Sequence, residues 1–110
     1  MSERIIKINE LIKQKLSQII VKEIEFPENA LVTITRVQTT PDIKASKVFI
    51  SVLPEKFRGT ALETLRKNKK NIRNLLKKQM TTKFVPNLNF LVDEQEIFAS
   101  EIDKLLDELK

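Results

Sequence analysis

The sequence predicts one α+β domain, a three-stranded sheet covered on one face by helices. Three observations carry this. Apolar residues recur at helical spacing along separate stretches of the chain. Three short apolar, partly β-branched runs read as strands. Turn residues separate the elements, and 110 residues are enough for one modest core. The order is α-β-β-α-(kink)-α-β with a short C-terminal helix, a sheet with its helices segregated to one side.

Each element has a local cause. Ser2 can cap a helix starting at Glu3 or Arg4, and Ile5, Ile8, Ile12, Leu16 and Ile19 form its stripe to about Ile24. Pro27 and Asn29 end it. Leu31 to Thr39 reads as a strand with imperfect alternation: Val32 and Ile34 share one face and Val37 falls on the other, which predicts a bulge or a two-faced strand end. A turn at Pro41 leads to a second strand, Ala45 to Leu53, and so short a connection predicts an antiparallel pair. "PEKFRGT" reads as a loop holding the only glycine, Gly59, with Thr60 and Glu63 as a capping box for the next helix. That helix carries Ala61, Leu62 and Leu65, then a gap, then Ile72, Leu75, Leu76 and Met80. Leu88, Phe90 and Val92 mark a third strand, and the long crossover before it permits parallel pairing. A final helix, about Gln95 to Leu109, has Phe98, Ile102, Leu105 and Leu109 as its stripe and is short enough to pack weakly.

Composition narrows the function. The chain has no cysteine and no histidine, which removes disulfides, thiolate chemistry, the usual transition-metal ligands and the commonest general base. One glycine excludes a phosphate-cradling Walker or dinucleotide loop. Composition thus gives an enzyme weak support and offers none of the usual transition-metal ligands; a hydroxyl-plus-lysine pair stays open, though no Ser-x-x-Lys spacing encourages it. No apolar run approaches membrane-spanning length, and the N-terminus enters a helical pattern at once, which predicts a cytoplasmic protein. Net charge is +5 but unevenly spread: residues 93–110 hold seven acids and two bases, leaving the first 92 with 18 bases against 8 acids. A basic body predicts a polyanionic partner, nucleic acid before a membrane surface.

The basic charge concentrates in the gap. Between Leu65 and Ile72 stand Arg66, Lys67, Asn68, Lys69, Lys70 and Asn71, four of the six basic and none apolar. A helix cannot lie on the core through such a stretch, so it must project or turn there, and four projecting cations are placed to meet phosphates. The alternative is a solvated helix face. Arg73, Lys77, Lys78 and Lys83 continue the basic surface, Lys44 and Lys47 flank the strand turn, and Arg4 and Lys7 begin the first helix. Whether these join into one patch depends on packing. With no Tyr or Trp there is no evident base-stacking platform, which favours backbone and shape recognition. Asp42 reads as a turn residue whose carboxylate accepts backbone N–H bonds.

Three segments in register carry a resemblance: "VTITRVQTTPDIKASKVFISVL" (32–53), "IRNLLKKQM" (72–80) and "FVPNLNFLVD" (84–93). In order and spacing they resemble bacterial ribosome-binding factor A, over about residues 4 to 106. The resemblance implies a KH-like fold of type II, with residues 1–94 as an RNA-binding domain and 95–110 as an acidic C-terminal helix or tail. It implies binding to the free small ribosomal subunit and its rRNA during late maturation, with importance in the cold. The resemblance implies a protein that is not an enzyme and needs no cofactor; no small-molecule substrate and no membrane partner is implied, and the protein is expected to act as a monomer. Members of that family usually join the two central helices through an Ala-x-Gly kink. The matching positions here are Asn68, Lys69 and Lys70, so the kink would rest on asparagine, which tolerates turn geometry; a nearly straight helix is the alternative. Two rival functions use other features: a protein–protein adaptor working through the acidic C-terminal helix, and a general basic nucleic-acid-binding protein.

Overall fold

The computed structural model describes residues 2–81 and 85–109, the side chains of 96–100 excepted. The expected contact Lys83 and the motif residue Phe84 lie outside the described residues, as does the side chain of Phe98. The elements run α1 (Glu3–Glu23), β1 (Leu31–Thr39), β2 (Ala45–Leu53), a 3-10 turn (Glu55–Phe57), α2 (Arg58–Lys67), α3 (Lys69–Gln79), β3 (Asn87–Val92) and α4 (Glu94–Glu108). The sheet order is β1-β2-β3, with β1 and β2 antiparallel and β2 and β3 parallel. This is the α+β, KH-like arrangement with a mixed sheet that the sequence and its resemblance imply.

Helix α1 starts as its sequence dictates. Ser2 Oγ accepts the Ile5 N–H at 3.2 Å, and the stripe from Ile5 to Ile20 is buried or half-buried. Asn29 ends the following turn in left-handed geometry, at φ 70. Strand β1 resolves its imperfect alternation with a bulge: the register slips between Ile34 and Arg36, so Ile34, Val37 and Thr39 all reach the core. Opposite them stand Ser46, Val48, Ile50 and Val52 of β2, then Leu88 and Phe90 of β3. Thr39 and Ser46 place hydroxyls in this apolar face and satisfy each other at 2.8 Å. Helices α1, α2 and α3 cover that face, with α1 on β1 and α3, and α2 on β3 and β2.

The stretch before α2 differs from its sequence reading. It is not a loop closed by a Thr60 capping box. The chain passes a cis Leu53–Pro54 bond into the 3-10 turn, and helix α2 begins at Arg58. Consecutive backbone bonds from Phe57 N–H to Pro54 O and from Arg58 N–H to Glu55 O carry one helical segment into the next. Thr60 therefore lies inside the first turn, and its carbonyl accepts the Thr64 hydroxyl at 2.8 Å.

Asp93 ties three parts of the fold together. Its Oδ1 accepts the Gln95 N–H at 3.0 Å and so caps α4. Its Oδ2 accepts from the hydroxyl of the bulge residue Thr35 at 2.6 Å and from Arg36 Nε at 3.3 Å. Arg36 also stacks on the Phe49 ring at 3.9 Å. Burial alone would push this carboxyl up, but the bonds from Thr35 and Gln95 and the charge of Arg36 outweigh it and hold it below the usual range. Beyond its cap, α4 is held by Lys104 Nζ to Glu55 at 2.8 Å, an exposed pair that contributes little.

Asp93→Ala should cost about 2 kcal/mol in denaturant unfolding at pH 7, since the half-buried Thr35 and Arg36 lose a charged acceptor and α4 loses its cap. The Asp93 pKa is depressed in the fold, so its charge stabilises above the unfolded value near 3.8 and ceases to do so as pH falls through the folded value. The gap between the native protein and the variant should narrow as unfolding is followed to lower pH; an unchanged gap would show that ionisation plays no part.

Candidate nucleic-acid interface

The two central helices are separate because of what lies between two core anchors. Leu65 and Ile72 are both fully buried. Seven residues apart, they would share one face of a straight helix, and positions 68 and 69 would face the core between them. Those positions hold Asn68 and Lys69. The chain leaves helical geometry at Asn68, with φ −98 and ψ 9 in the sparsely allowed bridge region. Hydrogen bonds continue across the break. Asn68 N–H donates to Thr64 O at 3.1 Å and Ile72 N–H to Asn68 O at 2.9 Å. The Asn68 side-chain amide also donates to Thr64 O, at 2.8 Å. Asparagine thus makes the junction without glycine and without a positive φ.

Around this junction Arg66, Lys67, Lys69 and Lys70 are exposed. Lys67, Lys69 and Lys70 pair with no carboxylate among the described residues. Arg66 differs, because its Nη2 reaches the Phe90 carbonyl at 3.2 Å and ties α2 to β3. Lys77 and Lys78 are exposed in the last turn of α3, where cations also suit the helix dipole.

The remaining expected cations sort into different places. Arg73 is half-buried and works as a clamp: its Nη2 donates to Val85 O at 2.8 Å and its Nε to Pro86 O at 3.3 Å. Arg4, Lys7, Lys44 and Arg73 come together on one groove between the start of α1, the β1–β2 turn and the Val85–Asn87 segment. Lys47 alternates with the core residues Ser46 and Val48, so it lies on the uncovered face of the sheet, apart from the junction. Asp42 is the turn residue its sequence suggests. Bonds from the Thr40 hydroxyl at 2.6 Å and the Lys44 N–H at 3.1 Å hold its carboxyl below the usual range.

Sequence reasoning missed three features. Asp93 had a legible signal, an acid directly before an acidic helical pattern, as N-caps often are. The clamp role of Arg73 and the left-handed Ile43, at φ 61, had none, because a β-branched residue rarely adopts that conformation. Among the described residues no group of three or more acidic, histidine or cysteine side chains could hold a metal, and no helix is long and apolar enough to cross a membrane.

The chain is similar over nearly its whole length to proteins of one family. The family model of ribosome-binding factor A matches residues 4–106. A ribosome-binding factor A from Thermodesulfovibrio yellowstonii is 34% identical over 104 residues, 94% of this chain and 88% of that protein. One from Prosthecochloris aestuarii is 37% identical over 111 residues, 98% and 90% of the two chains. Among solved structures, the crystal structure of ribosome-binding factor A from Thermus thermophilus superposes with a TM-score of 0.71 at 22% identity, over 80% of this chain and 93% of that one. A homology model of the Thermus thermophilus factor, fitted into a cryo-EM map of its 30S complex, superposes with a TM-score of 0.67 at 23% identity, over 76% and 88%.

The two kinds of cation should separate in stability measurements. Arg73→Ala removes two bonds to backbone carbonyls and should cost about 1–2 kcal/mol. Lys69→Ala and Lys70→Ala should stay within about 0.5 kcal/mol of the native protein. Equal costs in chemical denaturation would contradict this division.

Proposed function

The chain belongs to the ribosome-binding factor A family, and from that premise we propose that it binds the free small ribosomal subunit and its rRNA during late maturation. It acts stoichiometrically, as a monomer in the cytoplasm, without catalysis or cofactor. The observation that carries this reading is the break at Asn68, which holds Lys67, Lys69 and Lys70 clear of the core and of any carboxylate among the described residues. Ammonium groups on a helix junction neutralise phosphates without reading sequence. The sheet and its helices then present that charge on a rigid frame, which favours one conformation of the immature RNA over others. The factor leaves when the mature form no longer fits. A complex of the Thermus thermophilus factor with the 30S subunit supports this direction, since that protein is similar in fold.

One observation favours a second contact. Ile102, Leu105, Leu106 and Leu109 of α4 are exposed at 39%, 53%, 54% and 76%, an apolar face on an acidic helix. An adaptor working through α4 would lose its partner on deletion of residues 95–110, whereas an RNA binder keeps or tightens its affinity.

Neutralisation of three phosphates by Lys67, Lys69 and Lys70 predicts that log affinity for small subunits falls with log salt at a slope between about −2 and −3. Reversing Lys69 and Lys70 to Glu should abolish binding while the melting temperature stays nearly unchanged. A variant that binds as before, or one that unfolds, would overturn the role given to this junction.

A further inference from the structure

The groove that gathers Arg4, Lys7, Lys44 and Arg73 is separate in its walls from the helix junction, and its composition points to a more specific ligand. It is open and encloses about 1310 Å³. Ile8, Leu11 and Ile43, all half-buried, line it with apolar surface, while the four cations come from α1, the β1–β2 turn and α3. Two acids also line it, Glu3 and Asp42. Glu3 lies 3.7 Å from Lys7, and Asp42 is occupied by its own turn. Four cations against two acids leave the groove positive.

The β1–β2 turn is built to hold its shape. Ile43 N–H donates to Thr40 O at 2.9 Å, Thr40 N–H to Ala45 O at 2.9 Å, and Asn87 N–H to Lys44 O at 2.9 Å. Within this frame Ile43 sits at φ 61, where glycine or asparagine would be relaxed. An isoleucine there spends backbone strain to keep an apolar side chain on the groove wall, and such strain concentrates at ligand sites.

We propose that this groove takes an unpaired nucleotide of the bound RNA, its base against the half-buried Ile43 side chain and its phosphates beside Arg4 and Lys44. A duplex keeps its bases stacked and offers no flat apolar face, whereas a splayed nucleotide does. The groove is half-open and not a closed cavity, so it suits a chain passing through better than a free nucleotide. Helix α3 connects it to the junction. Lys69, Arg73 and Met80 recur at helical spacing on one face, and Lys69 stands only about 6 Å along the axis from Arg73. The proposal rests on the reading of this protein as an RNA binder.

The test is the amide chemical shifts of isotope-labelled full-length protein titrated with a single-stranded RNA hexamer, with the same hexamer in a duplex, and with adenosine monophosphate. The hexamer should move Ile43, Lys44 and Asn87 together with Asn68 to Lys70; the duplex should move only the junction. Arg4→Glu combined with Lys44→Glu should weaken the hexamer about tenfold and leave the duplex affinity and melting temperature unchanged. Hexamer shifts confined to the junction would overturn the groove site and leave the RNA-binding reading standing. Shifts at neither place, with any of the RNAs, would remove both. Groove shifts with adenosine monophosphate but not with the hexamer would overturn the assignment to RNA in favour of a free nucleotide.

Discussion

The arrangement depends on two fully buried residues, Leu65 and Ile72, with nothing apolar between them. Both must stay in the core, and the intervening helical positions cannot enter it. Burying the Lys69 ammonium would cost far more than a broken turn. The chain therefore departs from the helix at Asn68, whose side chain bonds the carbonyl of Thr64. Charge is carried outward by the same requirement that keeps the flanking residues in. The basic surface and the fold are thus consequences of one constraint.

The rest of the frame shows how polar groups stiffen a small core. Asp93 joins the β1 bulge, the end of β3 and the start of α4 through bonds from Thr35, Arg36 and Gln95. Arg73 joins α3 to the backbone of Val85 and Pro86, and Arg66 joins α2 to the backbone of Phe90. Arginine suits this work because its planar fork donates to several acceptors at once. Two of the arginines expected to meet RNA therefore hold secondary structure together, and the lysines beside them remain directed to solvent.

Much of this was legible in the sequence. The Ser2 cap, the stripe of α1, the antiparallel hairpin, the parallel third strand and the site of the helix break follow from spacing and turn chemistry. The imperfect alternation around Val37 became a bulge that returns Val37 to the core. The start of α2 was misread because the Thr60 and Glu63 spacing satisfies a capping rule that the preceding 3-10 turn makes unnecessary. Spacing also could not separate Arg73 from Lys69, since both lie four apart on a basic helix. Only the position of the Val85–Pro86 carbonyls distinguishes them. The groove was illegible for the same reason: its walls come from segments distant in sequence.

Selective engagement of the small subunit is the central claim, and co-sedimentation tests it most directly. Purified protein would be spun with free small subunits, large subunits and joined ribosomes, at low and at moderately raised salt. Retention on the free small subunit alone, persisting at the higher salt, is the predicted result. Equal binding to all three particles that vanishes as salt rises would contradict it and leave only a polycation.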